Sequence, residues 1–205
     1  NTLRVINNNY KDSKKFIDFC INNNVTKFLF SSTCNLYEFT EKKISEKNAI
    51  KLNSPYAKSK YLLENYFHKL KKENQSLKYV IFRFFNVSGS YNGIGERHKV
   101  ETHLIPNVIK ALQDNKILKI YGNNYKTKDG TTIRDYIHVK DISLAFLKAI
   151  KIMKLKKNIK NPIINLGSNK GTSIKEIVNI IKNLYGINLR VKFEKRRKGD
   201  PAKLV

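Results

Sequence analysis

Apolar residues recur along this chain with two alternating periods, one helical and one extended. Between Ser13 and Ile21, Phe16, Ile17, Phe19, Cys20 and Ile21 are interleaved with Lys and Asp, which predicts an amphipathic helix. Lys27–Phe30 follows as a short buried strand and ends in the small hydroxyl run Ser31-Ser32-Thr33-Cys34. The charged stretch from Glu38 to Lys51 reads as a loop. Ser54 can cap a helix with Pro55 at its first position, and Tyr61, Leu62, Leu63, Tyr66, Phe67 and Leu70 continue its apolar stripe. Tyr79–Phe85 is a continuous apolar, β-rich run, the signature of an inner strand of a parallel sheet.

Past that strand, Asn86-Val87-Ser88-Gly89 breaks the pattern and Tyr91–Arg97 reads as loop. A helix over about Leu104–Leu112, a strand at Leu118–Tyr121, a polar turn region from Asn123 to Thr132 and a strand at Ile133–Val139 come next. A helix from about Asp141 to Met153, a basic connector Lys154–Lys160 and a strand at Ile163–Gly167 continue the alternation. Ser173 and Glu176 form a capping box ahead of Ile174, Ile177, Val178, Ile180 and Ile181, and Leu189–Phe193 closes the series as a strand. Strands alternating with helices predict an α/β fold with a parallel sheet, and no internal repeat is present. A doubly wound sheet places its ligand crevice at strand ends, which draws attention to Ser31–Cys34 and to Phe85-Asn86.

The candidate chemistry starts from Tyr56 and Lys60. Spaced four apart at a helix start, they share a face, so the Lys60 ammonium can favour the ionised form of the Tyr56 phenol. Bringing a phenol from near 10 to about 7 takes roughly 4 kcal/mol of differential stabilisation. Thr33, a hydroxyl at a strand end upstream, is a candidate partner for the same chemistry.

Composition adjusts this picture in two places. The formal net charge of +25 ordinarily points to nucleic acid or an anionic surface. Of the 41 basic residues only seven are Arg, however, and the excess of Lys, with runs such as Asn7-Asn8-Asn9, reads as compositional bias on solvated surfaces, not as a specific nucleic-acid site. Cys20 and Cys34 lack ligand or disulfide spacing, so two reduced thiols and no metal site are expected. No run approaches the about 20 apolar residues of a membrane helix, and no signal-peptide core is visible, so no membrane partner and a cytoplasmic location are expected.

Taken together, Phe30-Ser31-Ser32-Thr33, Tyr56-Ala57-Lys58-Ser59-Lys60, Arg83-Phe84-Phe85-Asn86 and Arg134-Asp135-Tyr136-Ile137-His138-Val139 resemble the extended short-chain dehydrogenase/reductases of the NAD-dependent epimerase/dehydratase type. Thr102-His103-Leu104-Ile105-Pro106, the run from Tyr121 to Thr131, and Arg196–Ala202 sharpen the match toward the members that invert C4 of a UDP-hexose. The resemblance implies NAD as cofactor and a UDP-hexose as substrate, with UDP-glucose and UDP-galactose interconverted through a 4-keto sugar. It makes Thr33, Tyr56 and Lys60 the catalytic residues. It assigns cofactor contacts to Asn9, Ser31, Ser32, Tyr56, Lys60 and Phe85. Substrate contacts fall to Thr33, Cys34, Asn35, Phe85, Asn86, His103 and Leu104, and further on to Ile120, Tyr121, Arg134, Arg197 and Asp200. Arg134 and Arg197 would grip the diphosphate, since that anchor is best a bidentate cation, and Asp200 would accept from the uridine ribose. A homodimer is expected of the full-length form.

The fold implied is an incomplete Rossmann-like parallel sheet, lacking its first strands, with a smaller mixed α/β substrate-binding region. Residues 1–90 are expected to form the later half of the NAD-binding domain and 91–205 mainly the UDP-sugar region, with about 133–167 returning to the Rossmann sheet. No GxxGxxG turn occurs, so the 205 residues read as an internal portion of a longer enzyme or a truncated product, expected to bind NAD poorly alone. Cys34-Asn35 stands where a dehydratase of the family carries an Asp-Glu pair, which argues against water elimination. Epimerases of UDP-uronates or UDP-N-acetylhexosamines stay open as alternatives, as does an inactive remnant whose lysines hold polyanions non-specifically.

Overall fold

The computed structural model describes residues 2–155, 159–160, 162–197 and 199–205. Residues 156–158 of the basic connector and Lys198 of the Arg196–Ala202 motif lie outside them. The chain divides into two compact units, one of residues 1–38, 44–85 and 141–166, the other of 39–43, 86–140 and 167–205.

The first unit is a three-stranded parallel sheet, β1 (Lys27–Thr33), β2 (Lys78–Phe84) and β6 (Ile163–Leu166), in the order β1-β2-β6. Phe28 lies beside Tyr79 and Phe82 beside Ile164. The alternating direction of side chains along a strand splits β2 between two cores. Tyr79 and Ile81 pack with Leu63, Phe67 and Leu70 of α3 (Pro55–Glu73) and Ile17 of α2 (Ser13–Asn22), whereas Val80 and Phe82 pack with Ala149 and Met153 of α5 (Val139–Leu155). Burial on both faces is why β2 reads as an apolar run interrupted only by Arg83. The start of α3 follows its sequence signal: Ser54 Oγ accepts from the Ala57 N–H at 3.1 Å, with Pro55 in the first helical position. Ahead of α2, a short helix α1 (Thr2–Ile6) runs into a π-helical segment, Asn7–Asp12.

In the second unit β5 (Ile133–His138) is central: β3 (Asn86–Ser88) and β9 (Lys203–Leu204) pair with it in parallel and β7 (Gly171–Ser173) antiparallel. A separate parallel pair joins β4 (Leu118–Tyr121) to β8 (Val191–Glu194). Its core combines Val108, Ala111 and Leu112 of α4 (Leu104–Gln113) with Ile177, Val178 and Ile181 of α6 (Ile174–Tyr185), sealed by Leu118, Ile120 and Leu189. The capping box is present in full, Ser173 Oγ accepting from Glu176 N–H and the Glu176 carboxylate accepting from Ser173 N–H. Gly186 ends α6 in the left-handed conformation that favours glycine.

One boundary differs from expectation. Ile133–His138 joins the second unit's sheet, and the return to the first unit begins at Asp141. The physical reason lies in its polar positions: Arg134 and Asp135 are buried here, and both find partners in this unit, Asp200 for the first and Ser168 with Asn169 for the second.

Candidate active site

In the first unit the predicted acid–base set assembles where β1 ends and α3 begins. Thr33 is the last residue of β1, buried, and its Oγ1 accepts from the Asn35 N–H at 3.2 Å. Tyr56 lies in the first turn of α3 and keeps 41% of its surface exposed. Lys60, one turn further, donates from Nζ to the Ser31 carbonyl at 2.9 Å, its ammonium 5.1 Å from the Phe30 ring centroid and 5.8 Å from that of Tyr56. Burial pushes the Tyr56 phenol up, the neighbouring Cys34 adds to this, and a hydrogen bond with Thr33 works the other way. Burial also pushes Lys60 down. The sequence expects Lys60 to supply much of the acidification of Tyr56 and a cationic cofactor ring the rest; in the chain alone the Lys60 ammonium is turned to a backbone carbonyl, and burial is the largest influence on the phenol.

Beneath this set runs a buried polar network. Glu64, one turn beyond Lys60, accepts from Ser32 Oγ at 2.5 Å and from Arg83 Nε and Nη2 at 3.0 and 2.6 Å. Arg83 Nη1 reaches Tyr37 Oη at 2.9 Å, which donates to Asn165 Oδ1 at 2.7 Å. The network ties β1, α3, β2 and β6 together, through the residue next to Thr33 and a residue about two turns along α3 from Tyr56. It also commits the Ser32 hydroxyl proton to Glu64, so that hydroxyl can meet a cofactor only as an acceptor, beside the Ser32 backbone.

In the second unit the basic residues cluster on aromatic rings. Arg134 donates from Nη2 to Asp200 Oδ1 at 2.6 Å and from Nη1 to the Ile133 carbonyl at 2.8 Å, while the Arg197 guanidinium lies 4.4 Å from the Tyr121 ring centroid. Arg134 and Asp200, and Arg197 and Tyr121, are thus brought together as pairs. Ile120 is not available as a ligand contact, because its side chain is 2% exposed within the core against α4 and α6. His103 is exposed and turned to Glu96 and Glu101, and Leu104 is half-buried at the start of α4. Asn86 is half-buried on β3, Phe85 and Cys34 are buried, and Asn35 is exposed in the 3-10 turn after β1. Asn9 falls in the π-helical segment, none of whose side chains is buried.

Residues 1–167 match the profile of the NAD dependent epimerase/dehydratase family. The chain belongs to this family. It is 37% identical over 202 residues to a UDP-glucose 4-epimerase of Halalkalibacterium halodurans, covering 97% of this chain and 60% of that protein. Among solved structures it resembles UDP-glucose 4-epimerase from Brucella ovis in complex with NAD, at 36% identity and a TM-score of 0.88, covering 96% of this chain and 61% of the other. It also resembles the UDP-Glc/GlcNAc 4-epimerase of Campylobacter jejuni, at 34% identity and a TM-score of 0.78, covering all of this chain and 63% of that one. The chain thus spans about three fifths of the length of these relatives.

Sequence reasoning overlooked one further part of this epimerase/dehydratase chain. Tyr125 is 6% exposed, its ring lies 4.2 Å beneath the Arg196 guanidinium, and its hydroxyl is the buried side-chain polar atom that lacks a partner among the described residues. Burial pushes its phenol up, Asp200 adds to this, and the fields of Arg196, Arg134 and Arg197 oppose it. An unsatisfied buried hydroxyl within the field of three guanidiniums is a ready acceptor or donor for a polar ligand. In the sequence Tyr125 and Arg196 stand within the motif runs Tyr121–Thr131 and Arg196–Ala202, but the concentration of Arg in a Lys-rich chain pointed to roles only for Arg134 and Arg197.

Proposed function

We propose that this chain serves NAD-dependent C4 epimerisation of a UDP-hexose, interconverting UDP-glucose and UDP-galactose. The observation that carries the proposal is the Thr33–Tyr56–Lys60 set at the end of β1, because a phenol with a hydroxyl partner and an ammonium beside it is suited to moving a proton on a sugar hydroxyl. Lys60 gives one hydrogen bond to the Ser31 carbonyl. An ammonium has three N–H groups, so donors remain for ribose hydroxyls of NAD, and the cofactor fits the residues present.

Tyr56 Oη, as the phenolate, takes the proton of the sugar 4-hydroxyl to become the neutral phenol and later returns it. Thr33 Oγ1 hydrogen-bonds the same oxygen and holds it in line with the phenol. NAD, held by Lys60 at its ribose hydroxyls, would supply reversible hydride acceptance from C4, which leaves the overall change redox-neutral. Arg134 and Arg197 anchor the diphosphate, Tyr121 stacks behind Arg197, and Asp200 accepts from the uridine ribose while holding Arg134 in place. Phe85 and Asn86 complete the contacts beside the nicotinamide and sugar.

The longest natural form of the protein, supplied with NAD+ and UDP-galactose, should yield UDP-glucose. Tyr56→Phe should lower kcat by about a hundredfold or more and leave UDP affinity within about twofold, because the phenol makes no contact with the diphosphate in this reading. A Tyr56→Phe enzyme with wild-type turnover overturns the proposal.

A further inference from the structure

Four histidines occur in the chain, and two of them stand in a repeated Glu-x-His pattern, Glu96-Arg97-His98 and Glu101-Thr102-His103. The structure folds the two patterns onto each other on one exposed segment of the second unit, ahead of α4. His98 Nε2 lies 2.7 Å from Glu96 Oε1, His103 Nδ1 contacts the same oxygen, and His103 Nδ1 is 3.2 Å from Glu101 Oε1. The imidazole rings are 5.5 Å apart and inclined at 45°. One potential ligand atom from each of Glu96, His98 and His103 lies within 4.8 Å of the others.

From this geometry we propose that Glu96, His98 and His103 bind a divalent transition-metal ion of the zinc class, a site separate from the acid–base set. Two imidazole nitrogens and one carboxylate oxygen are the donor set that borderline cations prefer over Mg2+ or Ca2+, which favour oxygen ligands. Around tetrahedral Zn2+, with bonds of about 2.0–2.2 Å, such atoms sit roughly 3.3–3.5 Å apart. The atoms here need move only by about an ångström to reach that spacing, and all three side chains are exposed and free to do so. Two imidazoles already converge on a single carboxylate oxygen, and on binding that oxygen draws aside so that the ion takes the place of the hydrogen bonds now joining the three groups. Charge is consistent with this. Arg97 and Lys99 stand beside the ligands in sequence, but Glu101 faces His103 and, with Glu96, matches the two positive charges of the ion. The fourth position falls to water or to Glu101, whose Oε1 otherwise accepts the Thr102 and His103 N–H groups at 2.8 and 2.7 Å. A bound ion closes the Glu96–His103 loop and fixes the residue that precedes α4.

The test is calorimetric titration of the untagged, metal-stripped protein with ZnCl2 at neutral pH, against MgCl2 as a control, alongside a thermal-shift measurement. We expect one Zn2+ per chain, no heat with Mg2+, and a rise in Tm on adding Zn2+. His98→Ala and His103→Ala should each weaken Zn2+ binding by about tenfold or more, and the double variant should abolish it. His68→Asn and His138→Asn, which alter the two remaining histidines, should leave it unchanged. Absence of saturable binding at 0.1 mM, on the order of a weak extracellular-type site, overturns the proposal. So does affinity that survives in the double variant, since the exposed positions leave the fold intact and a retained site must then lie elsewhere.

Discussion

Glu64→Ala should be among the most destabilising single changes in the first unit. The Arg83–Glu64 pair is sealed from water, with side chains 4% and 1% exposed, and the Glu64 carboxylate holds three hydrogen bonds at 2.5, 2.6 and 3.0 Å. Burial pulls the Arg83 guanidinium down, but the hydrogen bonds and charge of Glu64 more than offset this and hold it above its ordinary value. Removing the carboxylate leaves a buried cation with only Tyr37 Oη as a partner among the described residues and frees the Ser32 hydroxyl, a change worth roughly 3–5 kcal/mol. At a urea m-value of about 2–3 kcal/mol/M, the unfolding midpoint should fall by roughly 1–2 M. Replacing both partners with Met should recover most of that loss, because an apolar pair needs no compensating charge. Urea titration followed by far-UV circular dichroism measures both. A midpoint shift below about 0.3 M for Glu64→Ala, or a double variant no better than the single one, would falsify the view that this network holds β1 and α3 together.

Three further outcomes follow from other parts of the chain. Burial pushes the Tyr136 phenol up to about 12, so the folded state holds its proton longer than the unfolded one; stability should be level below about pH 10 and fall between 10 and 12. Tyr136→Phe should flatten that decline in Tm against pH, and an unchanged slope refutes the assignment. Ser173→Ala removes the capping bond to Glu176 and should cost about 1 kcal/mol in urea unfolding. Gly122 sits at φ +88°, where a Cβ would run into the Tyr125 ring and the Arg196 side chain. Gly122→Ala should therefore lower Tm and disturb Tyr125 near-UV ellipticity, the backbone strain alone costing about 1–2 kcal/mol.

Much of the fold was legible because local chemistry and tertiary burial agree. The Ser54-Pro55 start of α3, the Ser173/Glu176 box of α6 and the two-sided burial of β2 each rest on patterns contained in a few adjacent residues. What escaped was set by distant pairing. Ile133–His138 has the composition of a strand of either unit, and only the partners of Arg134 and Asp135, 66 and 33 residues away, decide its sheet. The site divides in the same way. Thr33, Tyr56 and Lys60 come together as their spacing suggests, whereas the commitment of Ser32 to Glu64, the inward side chain of Ile120 and the unpartnered Tyr125 hydroxyl are properties of packing that no short motif encodes.

Packing also decides how far this chain by itself prepares Tyr56 for proton transfer. Lowering a phenol from 10 to about 7 requires roughly 4 kcal/mol, and Tyr56 starts above 10.0 because burial and Cys34 both disfavour the phenolate. A unit cation about 4 Å from the phenolate is worth about 4 kcal/mol at an effective dielectric of 20. The Lys60 ammonium lies 5.8 Å from the ring centroid and is engaged with Ser31, so its share is smaller and the balance falls to a second cation. In the proposed reaction that cation is the nicotinamide of NAD+. The expected outcome is therefore twofold: subtracting the alkaline absorbance titration of Tyr56→Phe from that of the wild type should place Tyr56 above 10 in the chain alone, and adding NAD+ to the longest natural form should bring a phenolate signal toward neutral pH. NADH, whose nicotinamide is uncharged, should not. A Tyr56 that titrates below 10 in the chain alone refutes the reasoning, since burial would then not be the dominant influence on it.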